Sequence, residues 1–184
     1  MDLPRFTPDG LLPRGDYPLT VAELRASHLV RGEGADTDSW DAAWRRHLVD
    51  NLELFVRQLW EVGVERIFVN GSFVTSKPHP NDIDAYFECE VTRFAQIIVG
   101  LLALEPPLPW DWTQRPVDPS TGTPKPRMWH LYRVELFPHF VDQPNLTGIR
   151  DQYGNELQFP ALFRRDRDTS LPKGVIQIIR EKPG

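Results

Sequence analysis

The sequence predicts one α/β (α+β) domain that spans residues 1–184, and two observations indicate this class. First, apolar residues recur every three or four positions between Asp41 and Glu61, which is the period of a helix with one buried face. Second, short apolar stretches at 65–70 and 82–89 have the length of strands and are bounded by turn residues. Because helices and strands alternate along the chain, we expect a sheet with helices packed on it.

Residues 1–40 are expected to form an N-terminal arm with one short helix. The first half of this arm is rich in proline, glycine and aspartate, which is typical of an extended segment lying on the domain. Thr20 with Glu23 three residues later has the pattern of a capping box and predicts a helix start there. The long helix at 41–61 follows, and Gly63 is a plausible stop for it.

The second half of the chain is divided by a proline-rich insert at 105–127. After the second predicted strand, Thr92 is expected to cap a helix that runs to about Leu104. The insert contains seven prolines, which exclude helix through most of it, while its tryptophans favour an ordered excursion over a disordered linker. Strand signals return at 128–141, and a final strand is expected at 174–179.

Composition narrows the function classes. With 40% hydrophobic and 11% aromatic residues the chain can bury a real core, and its net charge of −5 does not indicate a strong nucleic-acid binder. The single cysteine, Cys89, excludes an internal disulfide framework and fits a reducing compartment, and the scattered histidines give no zinc-ligand spacing. Without a signal-peptide pattern or a membrane-length apolar stretch, we expect a cytoplasmic protein with no membrane partner.

The most informative stretch joins a small-residue turn, Gly71-Ser72, to two carboxylates, Asp82 and Asp84. In a strand, residues two apart point to the same face, so both aspartates project together while Ile83 faces the core. Adjacent carboxylates repel without a cation, and such a pair suits a magnesium site that also meets substrate phosphates. The alternative is that the aspartates form a solvated strand face beside an ordinary turn.

This arrangement resembles the nucleotidyltransferases of the polymerase β superfamily, whose mark is Gly-Ser, a spacer of this length, and Asp-x-Asp on the next strand. The resemblance implies their core, a small mixed sheet with helices mainly on one face. Residues 9–29, 69–88 and 163–178 together look like a family of small, stand-alone bacterial nucleotidyltransferase-like proteins that is classed as a domain of unknown function.

The superfamily resemblance also implies a third acid on a later strand, and Glu135 is the candidate. Strand alternation places it on the face opposite Val134 and Leu136. With Asp82 and Asp84 it would bind Mg²⁺ (or Mn²⁺), and it would assist deprotonation of the attacking hydroxyl. Two departures from the superfamily pattern are a glutamate in place of the commoner aspartate and the proline-rich insert before it. The alternative is an exposed strand residue paired with a neighbouring Arg or Lys.

Gly71 and Ser72 are the expected phosphate contacts, because glycine permits close backbone approach and a helical turn at Ser72 would offer free N–H groups. Lys77, in the loop before the aspartates, is a further candidate phosphate contact, with plain solvent exposure as its alternative. His79 is interpreted as a loop residue. The basic stretch 164–168 and Lys173 are expected at the ends of a hairpin, with a phosphate contact as the second interpretation.

The resemblance therefore implies a metal-dependent nucleotidyltransferase that moves a nucleoside monophosphate from an NTP, with ATP the expected donor, to a hydroxyl. The acceptor stays open between a tRNA end, a protein side chain and a small molecule. Proteins of this size resemble components of bacterial toxin–antitoxin pairs, which favours tRNA or a partner protein. The alternative is a nucleotide-binding sensor or interaction module with a vestigial, non-catalytic site.

Overall fold

The structure is a computed structural model that describes residues 3–32, 39–144, 146–150 and 153–181. Its helices are α1 Val21–Ala26, α2 His28–Arg31, α3 Ala42–Glu61, α4 Val91–Leu102 and α5 Arg127–Tyr132. Its strands are β1 Asp16–Leu19, β2 Ile67–Asn70, β3 Ile83–Cys89, β4 Val134–Phe140, β5 Leu146–Arg150, β6 Glu156–Gln158 and β7 Val175–Ile178. No helix within these ranges is both long and apolar enough to cross a membrane.

The fold is mixed α+β, built on a five-stranded mixed sheet with the order β1-β7-β2-β3-β4. β1 runs parallel to β7, and β3 runs parallel to β4. β2 is antiparallel to both of its neighbours, β7 and β3. β5 and β6 form a separate two-stranded antiparallel sheet. The predicted α/β class is thus confirmed at this level, with a small mixed sheet at its centre.

The two faces of the sheet are buried by different means. One face carries the alternate residues Ile67, Val69, Ile83 and Ala85, which pack with residues of α1 to α5 into the main hydrophobic core. The opposite face holds a smaller apolar cluster of Phe68, Tyr86 and Val175, against which Phe159 and Phe163 pack. The alternation of strand side chains therefore leaves the remaining positions of this second face open for polar groups.

Local sequence signals predicted several boundaries correctly. Thr20 and Glu23 form a capping box at the start of α1, in which the Thr20 hydroxyl accepts from the backbone N–H of Glu23 at 3.1 Å. Asp41 caps α3 by accepting from the backbone N–H of Trp44 at 2.8 Å. Gly63 follows α3 with a φ of +80°, a left-handed conformation that suits glycine and ends the helix.

The N-terminal arm contributes more than the extended covering that its composition predicts. Residues 16–19 enter the sheet as the edge strand β1, which pairs in parallel with β7. Leu12 and Leu19 are buried in the main core. The insert at 105–127 is ordered, as predicted, because Trp110 is buried and its indole Nε1 donates to the side chain of Gln58 at 2.7 Å.

Two boundary predictions were wrong. Residues 128–132 are not the beginning of a strand: α5 occupies Arg127–Tyr132, and β4 begins only at Val134. The stretch has apolar residues at both odd and even positions, so a short helix that buries Met128 and Trp129 satisfies it equally well. Thr92 does not cap α4, which begins at Val91 after Glu90 without a side-chain cap.

Candidate functional site

Three polar side chains lie side by side across adjacent strands on the second face of the sheet. Asn70 of β2 is directly opposite Asp84 of β3, and Asp84 is in register with Glu135 of β4. In each strand the neighbours of these residues, such as Val69 and Leu136, belong to the main core on the other face. The predicted convergence of Glu135 with the aspartates thus has a simple origin in strand register and alternation.

Asp82 lies just before β3 and joins this row from its end. Its side chain and that of Glu135 are 12% and 11% exposed, so both carboxylates are largely withdrawn from water. One ammonium group, that of Lys125, contacts both of them. The structure therefore brings together all three acids that the sequence singles out. Asp82 is also bound by Trp129, which lies 47 residues further along the chain.

Gly71 packs directly against the row of acids. A Cβ built on this glycine would lie 1.8 Å from the Oδ2 atom of Asp84, and its φ of +71° is in the left-handed region. Any other residue would both clash and strain the backbone here. Gly71 begins a 3₁₀ turn, Gly71–Val74, so Ser72 lies within a single short helical turn beside the carboxylates.

Lys125 and Trp129 are site residues that the sequence did not indicate. The Lys125 ammonium lies between Glu135, to which it makes a short hydrogen bond, and Asp82, whose Oδ2 is 3.4 Å away. The indole Nε1 of Trp129 donates to the same Asp82 oxygen at 2.7 Å. Arg133, the basic residue nearest to the acids in sequence, stacks instead on the Trp129 ring at 3.9 Å.

The proximity of these charges alters their protonation. Burial, together with the negative charges of Asp82 and Glu135, raises the pKa of Asp84 to about 7. Burial opposes the charge of Lys125, but its hydrogen bond to Glu135 and the nearby aspartates raise its pKa above the ordinary lysine value. The site thus holds an excess of acid that one lysine only partly balances.

A second lysine borders the site from the other side. Lys173 is only 6% exposed, and its Nζ donates to the backbone carbonyl of Gly71 at 2.9 Å. Burial lowers its pKa, while Asp166 and Asp84 act in the opposite direction. Asn70, which is opposite Asp84 and precedes Gly71, is fully buried, and its amide nitrogen and oxygen both find no partner among the described residues. An unpaired buried amide is costly and marks a place where a polar ligand or water belongs.

Arg45 fixes the backbone of the loop that leads from Gly71 to Asp82. This side chain is fully buried and donates to five backbone carbonyls, those of Leu29, Phe73, Thr75, Lys77 and Pro78. Burial lowers its pKa to about 9, so it remains charged at neutral pH. Arg45 is not one of the apolar residues that predict α3, yet its side chain is buried and fixes the backbone of this loop.

Other candidate residues lie apart from the acids. The side chain of Lys77 is exposed and is not part of the row of acids. Its backbone carbonyl accepts a hydrogen bond from Arg45. His79 pairs with Asp41 at 2.9 Å and stacks on Trp44, in agreement with a role in the loop. Arg164, in the basic stretch, pairs with Asp16 of β1.

The donor set suits a hard divalent cation, because three carboxylates at the end of one sheet are the oxygen ligands that Mg²⁺ prefers. As the side chains stand, however, the described residues include no group of three or more His, Cys, Asp or Glu arranged to hold a metal ion. The Lys125 ammonium lies between Asp82 and Glu135, where a shared cation would be bound. The residues therefore fit a metal on the condition that Lys125 moves away.

A surface groove of about 570 Å³ lies elsewhere, between α1, α3 and the segment after β7. Its arginines are already paired: Arg25 binds Asp50 and Glu53, and Arg57 binds Glu53. The groove contains none of the residues of the acidic row. We therefore place the candidate site at the acids and not at this groove.

Comparison with known proteins gives one match. A family described as "Family of unknown function (DUF6932)" matches residues 4–179. No curated protein and no solved structure matches the chain.

Proposed function

The chain belongs to the DUF6932 family, and we propose that it is a metal-dependent nucleotidyltransferase that transfers a nucleoside monophosphate from an NTP to a hydroxyl acceptor. One observation supports this proposal above the others: Asp84 and Glu135 are in register on neighbouring parallel strands, with Gly71 packed directly against Asp84. The acids and a tightly packed glycine turn thus lie at the same end of the sheet. This is the combination that phosphoryl chemistry needs, because positioning and charge stabilisation are most of its catalysis.

In this proposal Asp82, Asp84 and Glu135 hold Mg²⁺ or Mn²⁺, which would lower the pKa of the acceptor hydroxyl and stabilise the departing pyrophosphate. Glu135, on β4, accepts the proton of the hydroxyl. The missing Cβ of Gly71 makes room for the Asp84 carboxylate beside the turn, and Ser72 in that turn and exposed Lys77 further along the loop are the proposed polar contacts of the phosphates. Lys173 fixes the Gly71 carbonyl, so the peptide groups of the turn keep their orientation.

The donor in this proposal is ATP, and the acceptor is a tRNA end or a side chain of a partner protein, in the manner of a toxin–antitoxin component. The choice of acceptor rests on analogy with proteins of similar size. A small-molecule hydroxyl is the remaining alternative. The proposed location is cytoplasmic, in keeping with the single cysteine, Cys89, which fits a reducing compartment.

One observation favours a second function, a non-catalytic nucleotide-binding module. Lys125 already lies between Asp82 and Glu135, so the acids are partly neutralised without a metal. A protein that only binds nucleotides has no need to deprotonate an acceptor. In such a protein Lys125 would balance the charge of the acids in place of a metal ion. Such a module would bind an NTP but release no pyrophosphate.

The test is incubation of the protein with each α-labelled NTP, Mg²⁺ or Mn²⁺, and total cellular RNA and protein. A labelled macromolecule together with pyrophosphate release would support the transferase and identify donor and acceptor. NTP binding by calorimetry without any transfer would support the binding module. If no NTP is bound under either metal, both proposals are wrong. The Asp82→Asn variant is the control for contaminating activity.

A further inference from the structure

The position of Lys125 carries an inference about how the acidic site takes up a cation. Its Nζ makes a short hydrogen bond with Glu135 and lies 3.4 Å from Asp82. Asp82 lies just before β3 and Glu135 lies in β4, and the lysine comes from the proline-rich insert that separates them in sequence. Lys125 therefore bridges the two acids as a bound cation would.

A second, independent feature indicates that the row is built for a ligand beyond this lysine. Asn70 is directly opposite Asp84 in the sheet, is 0% exposed, and has neither polar atom of its amide bonded to another described residue. Folding rarely leaves a buried amide unpaired, because the group loses its hydrogen bonds to water and gains none in return. Lys125 pairs with two of the acids, but the amide of Asn70 still has no hydrogen-bond partner among the described residues.

The backbone around Lys125 is fixed, whereas its side chain is held only by its two carboxylate partners and the face of the Trp129 ring. The backbone N–H of Lys125 donates to the carbonyl of Pro116 at 3.0 Å, and Val117 bridges to Pro124. Inside this closed loop Asp118 accepts from the hydroxyls of Ser120 and Thr121. A lysine side chain has several rotatable bonds, and 21% of this one is already exposed to water.

We propose that Lys125 is an exchangeable counter-cation: it occupies the acidic site in the metal-free protein, and a divalent cation displaces its ammonium into solvent. This inference rests on one part of the proposed function, the binding of a divalent cation by the acids. The exchange sets the metal affinity of the site, since binding has to break the ion pairs of Lys125. It also keeps the buried acids balanced when no metal is present.

The first experiment compares Mn²⁺ affinity in the wild type and in Lys125→Met, measured by electron paramagnetic resonance of the free ion. Methionine has a similar length and no charge, so the competitor is removed while the volume is kept. We expect binding about tenfold tighter or more, because a charge-assisted hydrogen bond contributes about 1.5–3 kcal/mol. Equal or weaker binding by Lys125→Met would overturn the proposal.

Arg127→Met is the matched control. Arg127 is exposed, lies two residues further along the same segment, and loses the same unit of charge. If a general change in charge raised the affinity, both variants would bind Mn²⁺ more tightly. We expect the affinity of Arg127→Met to stay within about twofold of the wild type, as for charges screened by solvent. An equal gain in both variants would contradict a specific exchange.

The second experiment uses the wild-type protein, so that it does not depend on the folding of a variant. Lysines are acetylated briefly with an amine-reactive reagent, with and without saturating Mg²⁺, and modification of each lysine is quantified by mass spectrometry. We expect acetylation of Lys125 to rise severalfold with Mg²⁺, while exposed Lys77 is unchanged. Unchanged or reduced acetylation of Lys125, with Mn²⁺ binding demonstrated separately, would exclude displacement.

The outcomes separate this inference from the proposed function. Tighter metal binding by Lys125→Met without any nucleotidyl transfer would support the exchange and leave the chain as a binding module. Transfer activity in the wild type with no change in metal affinity on removal of Lys125 would support the function and overturn the exchange. Absence of divalent binding in both proteins would overturn the exchange and the metal-dependent mechanism together.

Discussion

Arg45 and Lys125 are both largely buried cations that connect a loop to the body of the protein, but their partners are of different kinds. Arg45 is fully buried and donates to five neutral backbone carbonyls. Lys125 keeps 21% of its side chain exposed and binds two carboxylates. The guanidinium of Arg45 supplies directed donors that no small ion could replace, whereas Lys125 supplies mainly charge.

The difference teaches how to recognise a structural cation and an exchangeable one. Carbonyl partners demand donors at fixed angles, so Arg45 is part of the fold and its removal leaves buried acceptors unpaired. Carboxylate partners demand positive charge, and they accept it from an ammonium or from a metal ion. The four predictions below test this distinction, beginning with the largest expected effect.

Arg45→Met should be the most destabilising of these changes, by about 3–5 kcal/mol, because it leaves several buried carbonyls without donors. Urea unfolding followed by circular dichroism measures the effect. Arg46→Met, one residue further along α3 and exposed, is the control and should change the free energy of unfolding by less than about 0.5 kcal/mol. Mg²⁺ should not restore Arg45→Met. A loss below about 1 kcal/mol would contradict the structural role.

Asp82→Asn should reduce nucleotidyl transfer by about a hundredfold or more while the protein stays folded. The asparagine oxygen can still accept from Trp129, so the local packing is kept and the negative charge alone is lost. The measurement is the initial rate of pyrophosphate release at saturating NTP, with circular dichroism as the folding control. Undiminished turnover would remove Asp82 from the metal site.

Asp84→Asn should change the pH dependence of stability. The pKa of Asp84 rises from 3.8 to about 7 on folding, so between these values the folded state keeps a proton that the unfolded state has lost. The contribution of Asp84 to stability therefore falls as pH increases through this window, by at most about 1.4 kcal/mol per pH unit.

The variant lacks this titration, so its stability relative to the wild type should improve from pH 5 to pH 7 and then level off. Urea unfolding at pH 5, 6, 7 and 8 without divalent cations gives the two curves. Asp9→Asn, an exposed carboxylate outside the site, should give a curve parallel to the wild type. A constant difference between Asp84→Asn and wild type at all four pH values would contradict the prediction.

Lys125→Met should destabilise the protein less than Arg45→Met, by about 1.5–3 kcal/mol, and Mg²⁺ should restore that loss. The loss arises because Asp82 and Glu135 repel once their shared ammonium is gone, and a divalent cation removes that repulsion. Thermal unfolding with and without Mg²⁺ measures it, with Arg45→Met as the contrasting variant. If Mg²⁺ stabilised Arg45→Met as much as Lys125→Met, the distinction between the two cations would fail.

Much of the fold could be predicted because its signals are local. The capping pair Thr20 and Glu23, the periodicity of α3 and the stop at Gly63 each depend on a few neighbouring residues. The proximity of Asp84 and Glu135 could also be predicted, since strand alternation decides on which face of the sheet each acid lies. Their catalytic roles stay predictions.

Other features could not be predicted, because their cause is distant in the chain. Lys125 is surrounded by prolines and carries no local sign that its ammonium will lie between two acids. Asn70 precedes Gly71 in a stretch where glycine and serine draw attention, and its unpaired amide becomes visible only when the strand pairing is known. Arg45 lies between Trp44 and Arg46 of α3, and its five carbonyl partners come from two separate segments. The strand prediction at 128–132 was wrong for a different reason, since five residues are too few for periodicity to separate helix from strand.

The place of β7 in the sheet has a consequence for the order of folding. β7 lies between β1 and β2, and Asp16 of β1 is paired with Val175 of β7. The first strand of the sheet thus has no partner in that sheet until the seventh has been synthesised, whereas α1, which follows it, already has α2 and α3 to pack against. Closing so long a loop costs chain entropy before any contact returns it, so the final pairing of β1 with β7 is expected to be slow. The central strands β2, β3 and β4, which carry the acids, can pair before that step.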